Sequence, residues 1–145
     1  MLIALPKMAG MTDAAAFECR AGWRGLIVQA AAEVAAMPDL WRVRIVGGKE
    51  KMGSLILFIY CDGQRPIDLV DCLCEAYRKK SITVCEECGA PGRLRMGVVA
   101  ATRCEQHADF VAPFRDDDGE IIDLPPTGGP IWRDGHKGRY SPSVE

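Results

Sequence analysis

Three things are scarce in this chain: net charge, long apolar runs and histidine. The 145 residues carry 18 Lys and Arg against 20 Asp and Glu, a formal net charge of -2. That balance gives no global bias toward nucleic acid or membrane, so any electrostatic partner must be read by a local patch. The longest apolar stretches, Leu26–Val28 and Leu55–Tyr60, are far shorter than the ~20 residues that span a bilayer. The opening "MLIALPKMAGMTDAAAF" lacks a basic segment, and its apolar run is broken at Pro6 and Lys7. This predicts no targeting segment and a cytoplasmic protein. No phosphate-binding glycine loop, G-x-S-x-G elbow or internal repeat is found. "DDDGE" at 116–120 lacks the alternating spacing and terminal Glu of a calcium loop, and reads as a solvated acidic run.

What is present suits an ordinary soluble domain. Apolar residues make up 48% of the chain and charged residues 26%, enough for a real core in one domain with a small appendage. Thr12 and Asp13 are candidate caps for a helix over "AAAFECRAGW". "LIVQAAAEVAAM" places Leu26, Ile27, Ala30, Ala31, Val34 and Met37 on one helical face, stopped by Pro38. "LWRVRIV" then switches the period to two and predicts a strand, with Trp41, Val43 and Ile45 on one side and Arg42 and Arg44 on the other. "GGKEKMGS" reads as a connector. "LILFIY" is apolar on both faces and predicts a more buried strand, paired antiparallel with the first, so that Leu55, Leu57 and Ile59 join Trp41, Val43 and Ile45 under the helices. Pro66 suits a helix's first turn, followed by Ile67, Val70, Cys74 and Tyr77 at helical spacing and by cations at 78–80, where the helix dipole favours them.

The strongest local signal lies further on. Cys85-x-x-Cys88 and Cys104-x-x-His107 form two matched pairs, so two tight turns can each present two donors to a tetrahedral zinc ion. Gly89 follows the second cysteine, where a knuckle needs a positive φ. "RLRMGVVAATR" predicts a short hairpin turning at Gly97 that brings the pairs together. A lone Cys-x-x-Cys also suits a redox thiol pair, but the second pair argues for metal. A catalytic zinc keeps an open position, whereas this motif supplies four ligands. A base deaminase further requires an H-x-E pattern that His107 does not provide. The reading is structural zinc. Cys72 and Cys74 lie two apart on a helix and cannot easily clasp one ion. Cys19, Cys61 and Cys74 read as core thiols, and no role follows for His136.

Arg78, Lys79, Lys80, Arg93, Arg95 and Arg103 are candidates for a basic patch around the zinc module, able to neutralise phosphates. Glu86, Glu87 and Glu105 share the region, so a solvated face with internal ion pairs is the competing reading. Beyond the module the composition turns to Pro, Gly and charge, which predicts an extended or partly disordered tail. Its Ile121, Ile122, Leu124, Ile131 and Trp132 either pack on the domain or dock a partner. The expected fold is α+β, a small antiparallel sheet covered by two helices, followed by a zinc-ribbon or knuckle module and an extended C-terminal tail. The divisions are a core at 12–80, the module at 81–110 and the tail at 111–145.

Taken together, "GWRGLIVQAAAEV", "GGKEKMGSLILFIY" and "CEECGAPGRLR…TRCEQHA" resemble a family of small bacterial and prophage proteins. That family has a Gly-Trp, a Lys-Glu-Lys-Phe-Gly-Gly-Leu-Arg-Phe-Tyr stretch and a C-terminal Cys-x-x-Cys-Gly-x-Pro-Gly zinc knuckle. Lys49, Glu50, Lys51, Gly53 and Leu55 fit the central motif, whereas Met52, Ser54, Ile56 and Leu57 depart from it. The match covers roughly residues 22–108. The resemblance implies a phage-linked setting, hence the host-cell cytoplasm, and no mechanism. Two functions follow as expectations. The first is a non-catalytic binding protein that acts on a host protein or protein complex, such as a CRISPR defence complex, with Trp132 as a candidate anchor. The alternative is a nucleic-acid-binding accessory protein that uses the basic residues around the zinc module. An enzyme is not expected, because no base, nucleophile or open metal site can be assembled from the motifs.

Overall fold

The computed structural model describes residues 2–96, 99–110 and 118. The sheet has four strands in the order β1-β2-β3-β4, with β1 at Leu2–Ile3, β2 at Met11–Glu18, β3 at Val43–Lys51 and β4 at Ser54–Cys61. Helix α1 spans Arg24–Ala35 and α2 spans Leu69–Ser81. A separate two-stranded hairpin follows, β5 at Arg93–Arg95 paired antiparallel with β6 at Ala101–Arg103.

The helix expected after Thr12 and Asp13 is instead strand β2. The segment lies between β1 and β3, and pairing there buries Phe17 to 1% exposure. Tertiary pairing outweighs the helical preference of its three alanines, as it does for many weak local signals. This strand also changes the sheet type. β2 runs parallel to β3, while β1–β2 and β3–β4 are antiparallel, so the sheet is mixed rather than antiparallel. A parallel neighbour requires a crossover, and α1 supplies it. The first residues also belong to the fold, since Ile3 is buried in the core.

Helix α1 buries Ile27, Ala30, Ala31 and Val34, as its spacing predicts. Beneath the helices lie Val43, Ile45, Leu55 and Leu57, all buried, with Ile59 and Trp41 partly buried against them. Trp41 sits in a short 3-10 helix at Asp39–Trp41, just before the strand. Most of the expected connector is strand. Gly47–Lys51 pair with β4, and the turn is only Met52 and Gly53, both at positive φ (54° and 83°). That conformation matches the twist of a two-residue hairpin.

β4 is buried on both faces at its start, where Ser54 is fully buried, and on one face only toward its end. Leu55 and Leu57 point inward, but Phe58 is 42% and Tyr60 57% exposed. The reason is that the helices cover a single side of the sheet, which leaves Phe58 and Tyr60, alternate residues at the far end of β4, outside. Along its free edge, α2 substitutes for a fifth strand. The Leu55 N–H donates to Ser81 Oγ at 2.8 Å, and the Cys74 thiol donates to the Leu57 carbonyl at 3.5 Å. Helix α2 begins at Leu69, later than Pro66 suggests, so Ile67 precedes it and is 84% exposed. Its buried face is Leu73, Tyr77, Arg78 and Ser81. Among the described residues, no helix is long and apolar enough to cross a membrane. Apart from Asp118, the expectations for the tail at 111–145, Ile131 and Trp132 included, lie outside the described residues, as does the turn at Gly97.

Candidate metal centre

Cys85, Cys88, Cys104 and His107 converge, each offering one donor atom, and these atoms all lie within 4.8 Å of one another. The first pair sits on a knuckle closed by backbone hydrogen bonds. The Gly89 N–H donates to the Cys85 carbonyl at 2.8 Å, and the Cys85 N–H to the Ala90 carbonyl at 2.7 Å. Gly89 has φ +84°, the left-handed conformation expected of it. In the second pair, Cys104 follows β6 directly and His107 lies in the 3-10 segment Glu105–Phe110, its N–H donating to the Cys104 carbonyl at 3.1 Å. The β5–β6 hairpin spans the gap between the pairs and brings them face to face.

The separations can be tested against a tetrahedron. Donors about 2.3 Å (sulfur) and about 2.0 Å (nitrogen) from one ion lie about 3.8 Å apart for two sulfurs and about 3.5 Å for sulfur and nitrogen. Here Cys88 Sγ and Cys104 Sγ are 3.7 Å apart, Cys85 Sγ and His107 Nδ1 3.6 Å, and Cys104 Sγ and His107 Nδ1 3.2 Å. The cluster is therefore close enough, and of the right donor types, to hold a metal ion.

Electrostatics favour ionised sulfur at two positions. Burial opposes ionisation of Cys104, but hydrogen bonds with the His107 ring and the neighbouring thiols outweigh it and bring its pKa down to about 6. Burial likewise opposes ionisation of Cys85, and backbone N–H groups of Cys104, Cys88 and Glu87 lower it all the same. The Cys104 sulfur in turn holds the His107 ring above its ordinary value. By contrast, burial pushes the Cys19 thiol up to about 12, which fits a core residue. No disulfide joins any of the seven cysteines.

The module is bound tightly to the sheet domain. Glu86, between the two knuckle cysteines, is 4% exposed; its Oε1 accepts from Arg103 Nη1 at 3.0 Å, and its Oε2 from the Arg20 N–H at 3.2 Å. The Glu86 carbonyl accepts from the Gly22 N–H at 2.7 Å. A Cβ at Gly22 would stand 2.2 Å from the Cys85 carbonyl oxygen, so glycine is what permits this approach. Trp23, fully buried, donates its indole N–H to the Val84 carbonyl at 2.9 Å. At the other end, Thr102 Oγ1 donates to the Gly53 carbonyl at 2.6 Å. These contacts were not legible in the spacing of the cysteines. The "GW" at 22–23 was visible in the sequence only at the end of an expected helix and in the resemblance, and Glu86 only as one acid among basic residues.

The candidate basic patch is dispersed into internal pairs. Arg103 is 5% exposed and pairs with Glu86, and Arg95 is 6% exposed and reaches Glu105 at 3.1 Å, which Arg93 also approaches at 3.7 Å. Arg78 is buried on α2, where its Nε donates to Glu75 at 2.9 Å. Lys80 lies 4.5 Å from the centre of the Tyr77 ring, and Lys79 is half-buried. The competing reading of internal ion pairs thus describes the arginines.

Fold and site together define an α+β domain with a Cys/His cluster fused to its sheet. No protein-family model matches the chain, and neither a curated protein nor a solved structure matches it.

Proposed function

We propose that the protein is a non-catalytic binding module whose Cys85, Cys88, Cys104 and His107 hold a structural zinc ion in a ribbon-like knuckle. The observation that carries this reading is the convergence of four Cys and His donors from two tight turns, all within 4.8 Å of one another and so close enough to share one ion. Four protein ligands leave zinc no open position for water or substrate, the arrangement of structural rather than catalytic sites. The ion's task is then to hold the hairpin against the Gly22–Trp23 turn and the Met52–Gly53 turn, fixing a surface. Unpaired thiols suit a reducing compartment such as the cytoplasm.

In this reading the module acts by occupying the surface of a host protein or protein complex, in keeping with the phage-linked resemblance and a target such as a CRISPR complex. The arginines around the module do not support a phosphate-binding site there, because their charges are already engaged. Substitution tests the metal reading: Cys85→Ser should empty the site, while Cys72→Ser, on exposed helix surface, should leave metal content unchanged. For the partner, removal of residues 112–145 should abolish capture of a host complex while sparing zinc content. A truncated chain that captures the complex as well as the full chain contradicts a contact through Ile131 and Trp132.

A further inference from the structure

The outer face of the sheet carries a feature that the zinc module does not explain. Neither helix covers it, and β4 presents Phe58 and Tyr60 there, 42% and 57% exposed. Two residues apart on one strand, their Cα atoms are about 7 Å apart on the same side. The register sets cations beside them: Arg44 lies opposite Tyr60, Lys49 opposite Ile56 and Lys51 opposite Ser54, all exposed on β3. Among the described residues none of these three cations joins an ion pair. The nearest acid in register is Glu18, across from Lys49.

The row through Phe58 is unusually bare. Its partner is Gly47, and the partner of Gly47 is Ala16. A flat ring can therefore lie on Phe58 without meeting a neighbouring side chain on that row. Val46, extruded by the irregularity between Ile45 and Gly47, borders the same strip at 39% exposure.

We propose that this face binds single-stranded nucleic acid, with Phe58 and Tyr60 as stacking platforms for two bases and Arg44, Lys49 and Lys51 contacting phosphates. Stacking plus a positive track is the general chemistry of single-strand recognition on a sheet. The charge of the face decides among occupants. Two copies of this chain brought face to face would set like charges together, whereas a polyanion neutralises them. The inference goes beyond the protein-partner reading and stands independently of it, since it concerns a different surface from the zinc module.

The test uses the full-length, zinc-loaded protein and fluorescence anisotropy with labelled oligothymidylate and oligouridylate of about 12 nucleotides. Saturable binding is expected, with log affinity falling against log salt at a slope near -2, about -0.7 for each of three phosphate contacts. Phe58→Ala and Tyr60→Ala should each weaken binding roughly 5-fold to 100-fold. Both should melt near the wild-type temperature, because the rings are already exposed. Tyr60→Phe, which keeps the ring, should bind nearly as wild type, as should Arg24→Ala on helix α1. Absence of binding, binding insensitive to salt, or binding that both alanine variants leave unchanged overturns the proposal. Failure to bind oligonucleotide, combined with loss of a captured host protein in those two variants, overturns it as well and assigns the face to protein docking.

Discussion

Glu86→Ala tests how the knuckle is joined to the sheet domain. Glu86 and Arg103 are each 6% exposed at the side chain and meet at 3.0 Å, and the second carboxylate oxygen of Glu86 accepts the Arg20 N–H. Removing the acid leaves the Arg103 guanidinium buried beside a void and frees a backbone donor. Breaking one side of such a pair costs about 3–5 kcal/mol, a large share of the roughly 5–15 kcal/mol that stabilises a domain of this class. Urea unfolding of the zinc-loaded protein should show the midpoint falling with the slope unchanged, and the melting temperature should drop by more than about 10 °C. Arg103→Ala should behave similarly. Because both single changes remove the same Glu86–Arg103 contact, Glu86→Ala combined with Arg103→Ala should cost clearly less than the sum of the two. Costs that add fully, or a single-variant loss under about 1 kcal/mol, typical of an exposed pair, refute the buried strut.

Leu57, 3% exposed between the sheet and α2, should cost about 2–5 kcal/mol on change to Ala; a loss under about 0.5 kcal/mol, as for a surface site, contradicts the register of β4. Ser81→Ala removes the acceptor of the Leu55 N–H on a fully buried side chain and should cost about 1–3 kcal/mol by urea unfolding. No measurable change would show that the strand edge finds its partner elsewhere. The hydrogen bond from Arg78 outweighs partial burial and holds the Glu75 carboxyl below its ordinary value of 4.5. A depressed carboxyl stabilises the fold above that value and loses the contribution as pH falls through the folded-state pKa. Glu75→Gln should therefore flatten the acid side of the stability–pH curve below pH 4.5, and an unchanged acid limb contradicts the assignment.

The parts that were legible in the sequence are those with a strong local period or a fixed chemical spacing. Helix α1 shows its buried face in Ile27, Ala30, Ala31 and Val34, and the first half of β3 in Val43 and Ile45. The four Cys and His donors were legible because a tetrahedral site demands short paired spacings. What was not legible depends on partners far along the chain. "TDAAAFE" is a strand only because β1 and β3 flank it, and the parallel β2–β3 pairing follows from that placement. Alternation could not say which face of "LILFIY" is covered, since both faces are apolar, and the exposure of Phe58 and Tyr60 depends on where the helices lie. Glu86, Arg95 and Arg103 read as surface charge, because nothing in their spacing announces that the hairpin buries them against each other and the turn at Arg20–Trp23.

The claim that metal shapes this protein is tested most directly by elemental analysis of freshly purified, unchelated protein. About one zinc per chain is expected in the wild type and close to none in Cys85→Ser. A wild-type protein without zinc, or a Cys85→Ser variant that retains its full complement, would contradict that claim.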